Sequence, residues 1–304
     1  MRGGSVDTVD LVDEVRDQRS RLYMMSQRPS YLRVFLTFAR NSLVRDMMFP
    51  ANFIIETISS FGWVMMNIGF YLLIFEYTSQ IGAGGSEGAA WDKFQFFVFI
   101  ATSMFINSIV QLLFMTNADE FSELIRTGGL DFALLKPIDT QFLISLRRIE
   151  WASLANVVVA AALMAYALPR VDGFTLTIWQ VVLYPIYVLA GIGILYSLMI
   201  VLAAASVWLG RNTSIYDFWF YITTFSRYPM EIYNGPIGGW LRLIFTFVLP
   251  ILIVVNVPAR MLAKPLEREY AYLAVFALLA TALSLAASRW VFQRALLSYR
   301  SASS

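Results

Sequence analysis

From Tyr31 to Phe49, apolar Leu32, Phe35, Leu36, Ala39, Leu43 and Met47 recur at the helical period on one face, with Arg33, Thr37, Arg40 and Asn41 opposite. The pattern predicts an amphipathic helix over 31–49 whose basic and apolar faces suit the headgroup layer of a membrane, and Pro50 ends it. Beyond it the polar positions thin out and the apolar runs become continuous. Phe53 to Tyr77, Phe94 to Met115, Trp151 to Leu168, Ile178 to Leu209 and Tyr270 to Phe292 are each of spanning character. At about 1.5 Å per residue, some 20 residues cross a hydrocarbon core of about 30 Å. The fourth run is too long for one perpendicular crossing, so tilt, a bend near Pro185 or an interfacial first turn must absorb the excess.

The stretch from Ile215 to Pro265 is the least regular. Ile215 to Phe225 begins like a span. Arg227, Pro229, Glu231, Asn234, Gly235, Pro236, Gly238 and Gly239 then interrupt it, and the apolar piece up to Val257 is broken by Pro250 and bounded by Pro258. Full passage of residues 240–257 gives seven crossings with the ends on opposite sides; entry and return on one side gives six. Broken helices at membrane depth are tolerated when protein covers them, so the re-entrant arrangement is admissible. The fold class expected is all-α and polytopic.

Composition agrees: 58% of the 304 residues are hydrophobic and 14% charged, with a mean hydropathy of +0.62. A water-soluble globule is excluded. With no His and no Cys, the familiar nucleophilic triads, thiol chemistry and the usual zinc sites are excluded as well, and no catalytic or metal-binding set is expected. A net charge of +2 with no basic run gives no reason to expect a nucleic-acid partner. Residues 1–30, acids before bases, read as a solvated cytosolic tail, and 297–304 as a second. Placing residues 1–50, the loop 118–150, Arg211 and the C-terminal end with Arg289, Arg294 and Arg300 together gathers 16 of the 23 Lys and Arg residues on one side. The positive-inside rule makes that side cytoplasmic. Arg260, Lys264 and Arg268 run against it, because six crossings put them outside.

Two sets of residues are candidates for function. In the loop 117–148, Asp119 to Arg126 reads as a short helix with acids early, Arg126 at its end and Gly128-Gly129 as its stop. Leu130 to Leu135 adds an apolar patch before Lys136-Pro137. A capped helix with charged and apolar groups together suits docking onto a soluble partner, and Asp119, Glu120, Glu123, Leu124, Arg126 and Lys136 are the residues expected to carry it. No phosphate-cradling G-x-x-x-x-G-K-[ST] occurs, so any ATP used is hydrolysed elsewhere. The second set is polar and at membrane depth: Glu56, Asn67, Asn107, Gln111, Asn156 and Asp217. Glu56 and Asp217 lie near span ends; the three Asn lie deeper and suit helix-to-helix hydrogen bonds more than cargo contact. Gly191-Ile192-Gly193 reads as close helix packing.

Leu124-Ile125-Arg126-Thr127-Gly128-Gly129-Leu130-Asp131, running into Leu134 to Asp139, resembles the stretch after the second span of the ABC-2 type permeases, the membrane subunits of ABC exporters. Arg227-Tyr228-Pro229, Leu249-Pro250 and Asn256-Val257-Pro258 resemble that family's broken segment, and the likeness covers most of Tyr31 to Arg300. It implies six spans over 50–296, an interfacial connecting helix at 31–49, a coupling helix at Asp119 to Arg126 and a re-entrant hairpin at 240–257. It further implies both termini inside a bacterial cytoplasmic membrane, ABC ATPase subunits that hold ATP and magnesium while this chain binds no cofactor, and a second permease subunit. From the residues alone, a secondary transporter, a membrane-embedded enzyme and an anchor subunit remain open, although one broken region without a counterpart argues against the first. The aromatic-rich spans suit amphiphilic cargo, and equally lipid contact.

Overall fold

The computed structural model describes residues 30–82, 90–209, 213–264 and 268–299. The tail before residue 30, most of the Gly-rich stretch after Gly82, Arg211 and the chain beyond Tyr299 lie outside them, as do the side chains of residues 209, 213–217 and 268–270. The chain forms two units, Met1–Thr37 and Phe38–Ser304; of the first, the described part is the opening of a helix, and the second carries all the remaining described elements.

That helix, α1 (Tyr31–Met48), is followed at Pro50, without a loop, by α2 (Pro50–Tyr77). Pro sits well at the first helical position, where its missing N–H costs nothing. In the second unit α1 packs through a small-residue side: the Ile149 amide donates to Ser42 Oγ at 3.1 Å and the Trp151 indole to the Ala39 carbonyl at 3.2 Å. Leu43 and Met47, on the apolar face read from the sequence, stay exposed together with Val44 and Phe49.

A two-residue antiparallel clasp, β1 (Gln80–Ile81) with β2 (Trp91–Asp92), leads into α3 (Lys93–Val110). A π turn, Gln111–Met115, joins α3 to α4 (Thr116–Arg126), so Lys93–Arg126 is one rod of 34 residues. The short separate helix expected at Asp119 to Arg126 is therefore the end of the second span. Thr116, Asn117 and Asp119 are polar but none is a helix breaker, and the first one is Gly128, whose φ of +72° favours a residue without Cβ.

Next come α5 (Leu130–Leu134), α6 (Thr140–Leu146), a 3₁₀ turn at Trp151–Ser153 and α7 (Leu154–Ala167). The long helix α8 (Ile178–Leu209) runs continuously through Pro185. The final helix is α12 (Arg268–Ser298). The chain is an all-α polytopic membrane protein. Five helices are long and apolar enough to cross a bilayer, Pro50–Tyr77, Lys93–Arg126, Trp151–Arg170, Ile178–Trp208 and Ala271–Ser298, with up to one more from a bent pair.

Between α8 and α12 lie α9 (Thr213–Thr224), α10 (Pro236–Leu243) with a π turn at Ile244–Val248, and α11 (Leu252–Ala263). The last parts of α8 and α12 pack with Phe121, Leu130 and Leu143 at the end of the bundle that carries α4 to α6, here the loop end. By Glu231 the chain touches Trp91 at the opposite, hairpin end. Residues 213–231 therefore traverse the bundle, in a 12-residue helix and two single 3₁₀ turns, about 30 Å of rise. The piece after them turns by 90° at Leu249 to Ile251 and comes back to the hairpin end, where Lys264 Nζ donates to the Ala90 carbonyl at 2.6 Å. This is the returning hairpin that the sequence admits.

The core is shared by α3, α8, α11 and α12. Gly191 makes it possible: a Cβ there would stand 2.8 Å from the Val254 carbonyl oxygen, and one on Gly193 would stand 3.1 Å from Thr281 Cγ2. The two glycines let α11 and α12 approach α8, the packing role read from the sequence.

Candidate functional site

At the loop end the rod's last turns are tied down from the side. The Asn117 side chain donates to the Arg148 carbonyl at 2.6 Å and accepts from the Arg148 amide at 2.8 Å, while Arg148 NH1 meets Glu120 Oε1 at 2.7 Å. Glu120 is thus a brace for the returning chain, whereas Asp119 is exposed. Glu123 and Arg126 form an exposed bidentate pair one turn apart, at 2.5 and 2.8 Å. Leu124 is half-buried under Gly129, where a Cβ would stand 2.9 Å from Leu124 Cδ2. Lys136 is exposed. The apolar patch divides by helical period: Leu130 and Ala133 are buried, and Phe132 and Leu135 point outward at 74% and 81% exposure.

Asp139 anchors the far side of this loop. One carboxylate oxygen accepts from the Phe142 amide and caps α6, and both receive Arg289 of α12, at 3.1 and 2.5 Å. Burial opposes ionisation here, but the Arg289 guanidinium and the backbone amides outweigh it and hold the carboxyl below its ordinary range. The pairing of Asp139 with Arg289 was not visible in the sequence, where the two lie 150 residues apart.

Glu56 is exposed on α2, across a cavity of about 390 Å³ from Glu150, with Arg45, Asp46 and Arg148 also in its walls. Burial, with the charge of Glu56 added, pushes the Glu150 carboxyl up, although the Thr116 hydroxyl donates to it at 3.1 Å. This cavity is separate from the other membrane-depth candidates. Asp217 lies on α9, and its side chain is outside the described residues.

The other four converge. Asn67 of α2, Asn107 of α3, Gln111 in the π turn and Asn156 of α7 line one groove of about 150 Å³, and Arg227, after α9, joins them. Asn67 and Asn107 do not bond across helices. Each donates at 2.8 Å to the carbonyl one turn back in its own helix, Trp63 and Ser103 respectively. The helix-to-helix bonds lie elsewhere, as between Thr102 and Tyr184 or from Gln141 and Ser145 to Tyr196.

The hairpin end holds a buried ionic knot. Glu231 accepts from Arg260 at 2.5 and 3.2 Å and from the Trp91 indole at 2.8 Å, and the Lys264 ammonium lies 4.6 Å from the centre of the Trp91 ring. Arg260 and Lys264 are therefore buried and held by protein groups, so they weigh less against the charge asymmetry of the sequence than a simple count implies. The side chain of Arg268 is outside the described residues.

These features suit a transport subunit. A rod with an exposed, capped tip and a polar groove lie on one chain. Neither the curated proteins nor the solved structures contain a match to this chain. A family model described as ABC-2 family transporter protein does match, over residues 61–303, which takes in the rod, the loop, the groove and the returning hairpin. The chain belongs to the ABC-2 family and is a permease, the membrane component of an ABC transporter.

Proposed function

We propose that this permease is half of an ATP-driven exporter, moved by separate ATPase subunits that carry ATP and magnesium and grip the tip of the rod. The observation that carries the reading is that tip. Lys93–Arg126 rises about 51 Å, against a hydrocarbon core of about 30 Å, so its last turns stand clear of lipid. There Glu123, Arg126 and Lys136 lie beside outward Phe132 and Leu135, a polar and apolar mix that a protein partner can cover. The bases of the loop and of the C-terminal tail favour a cytoplasmic position for this end, with both termini there and the whole in a bacterial cytoplasmic membrane. A second permease, identical or different, completes the path.

The test is co-purification with a P-loop ATPase subunit expressed alongside. Exchanging the pair, Glu123→Arg with Arg126→Glu, keeps the internal salt bridge but inverts the surface, and Phe132→Ser with Leu135→Ser removes the apolar contact. Each double variant is expected to insert normally, to lose the ATPase and to lose transport. Transport by the chain with no ATPase present would defeat the proposal.

A further inference from the structure

The groove between α2, α3 and α7 has more polar capacity than the chain uses. Asn156 Oδ1 is buried without a hydrogen-bond partner. Arg227 is half-buried with its guanidinium 5.1 Å from the centre of the Phe220 ring, and among the described residues no carboxylate pairs with it. Asn67 commits one amide hydrogen to its own helix, and the Asn107 amide donates to the Ser103 carbonyl at 2.8 Å and, more weakly, to the Ser103 hydroxyl at 3.5 Å, which leaves a carbonyl oxygen on both and a second hydrogen on Asn67. At membrane depth such groups need a partner, and a guanidinium without a counter-ion calls for an anion.

Apart from Tyr71, Ser103 and Ser108 the remaining wall is apolar, from Trp63, Val64, Ile100 and Met104. Trp63 is 58% exposed, so the rim of the groove reaches the outer surface of the bundle. Lengthwise it extends from Ile100 to Gln111 along α3, about 16 Å, with Tyr71 and Arg227 toward one end and Gln111 and Asn156 toward the other.

The geometry points to a binding site for an amphiphile with an anionic head, the head at Arg227 and the chain laid along Trp63, Ile100 and Met104. A free inorganic anion would use the cation and leave the apolar wall idle; a neutral lipid would do the reverse. That the occupant is cargo rests on the exporter reading, but its binding does not, so the experiment omits the ATPase.

The full chain, in nanodiscs of phosphatidylcholine, is titrated with 9,10-dibromostearate, and tryptophan quenching is followed; bound stearate is also measured by equilibrium dialysis. Saturable binding is expected, at least tenfold tighter for stearate than for its methyl ester or for acetate. That comparison needs no variant. Arg227→Gln should bring stearate down to the level of the ester, and Arg227→Lys should retain most of the binding. Arg170→Gln, far from the groove, should match the parent. Equal binding of stearate and ester, or undiminished stearate binding by folded Arg227→Gln, overturns the proposal. So does a spontaneous disulfide between two copies of Asn67→Cys, which would mean that a second chain fills the groove.

Discussion

Glu231 and Arg260 are nearly fully buried as a pair, and a buried pair is most sensitive when one member is removed. Glu231→Ala leaves a cation and an indole N–H facing empty space and is expected to cost about 3 to 5 kcal/mol, whereas Glu231→Leu with Arg260→Met should cost less than either single change. Thermal unfolding in one detergent measures both. Asp139 is more exposed and its ion pair correspondingly weaker, of order 0.5 to 1 kcal/mol. Asp139→Asn should lose that amount and keep the helix cap; Asp139→Ala should lose about 1 kcal/mol more with the cap. Because its folded pKa is depressed, this carboxyl adds stability above the ordinary carboxylate range, and that stability disappears as pH falls through the lowered value. Melting curves from pH 6 down to pH 3 should converge for the parent and Asp139→Asn.

Among elements, the close approach of α8 to α11 is the most exacting. A methyl at Gly191 meets a backbone carbonyl, which cannot rotate away, whereas one at Gly193 meets the end of the Thr281 side chain. Gly191→Ala is expected to cost about 1 to 3 kcal/mol in thermal stability, and Gly193→Ala less. The helices themselves were legible, since continuous apolar runs leave a chain in lipid few other options. The Gly-Ile-Gly contact was legible for a related reason, small residues being what helix packing without a hydrophobic drive requires. The junction at Thr116 was not. A polar run reads as departure from lipid, yet departure does not end a helix unless a breaker comes too. The meeting of Asn67, Asn107, Gln111 and Asn156 was half legible. Each was costly enough at membrane depth to be noticed, but their convergence depends on how α2, α3 and α7 rotate about their axes, and Arg227 reaches them from a region without periodicity.

At the scale of the whole molecule, the alternation of helix ends can be checked directly, because the chain has no cysteine of its own. Ser79→Cys beside the clasp and Thr127→Cys at the rod's tip are both exposed. In intact cells a membrane-impermeant maleimide should label the first and spare the second, and permeabilised cells should label both. The reverse pattern would invert the molecule and remove the ATPase from reach.

The uninterrupted passage of α3 into α4 means that the tip and the groove share one stiff member. From Met115 to Arg126 is a lever arm of about 17 Å, so a tilt of about ten degrees carries the tip some 3 Å. The π turn, where the backbone ladder is already loosened, is the natural fulcrum. Gln111 sits on that fulcrum and Asn107 one turn beyond it, so a push received at the tip would be felt by whatever the amides hold.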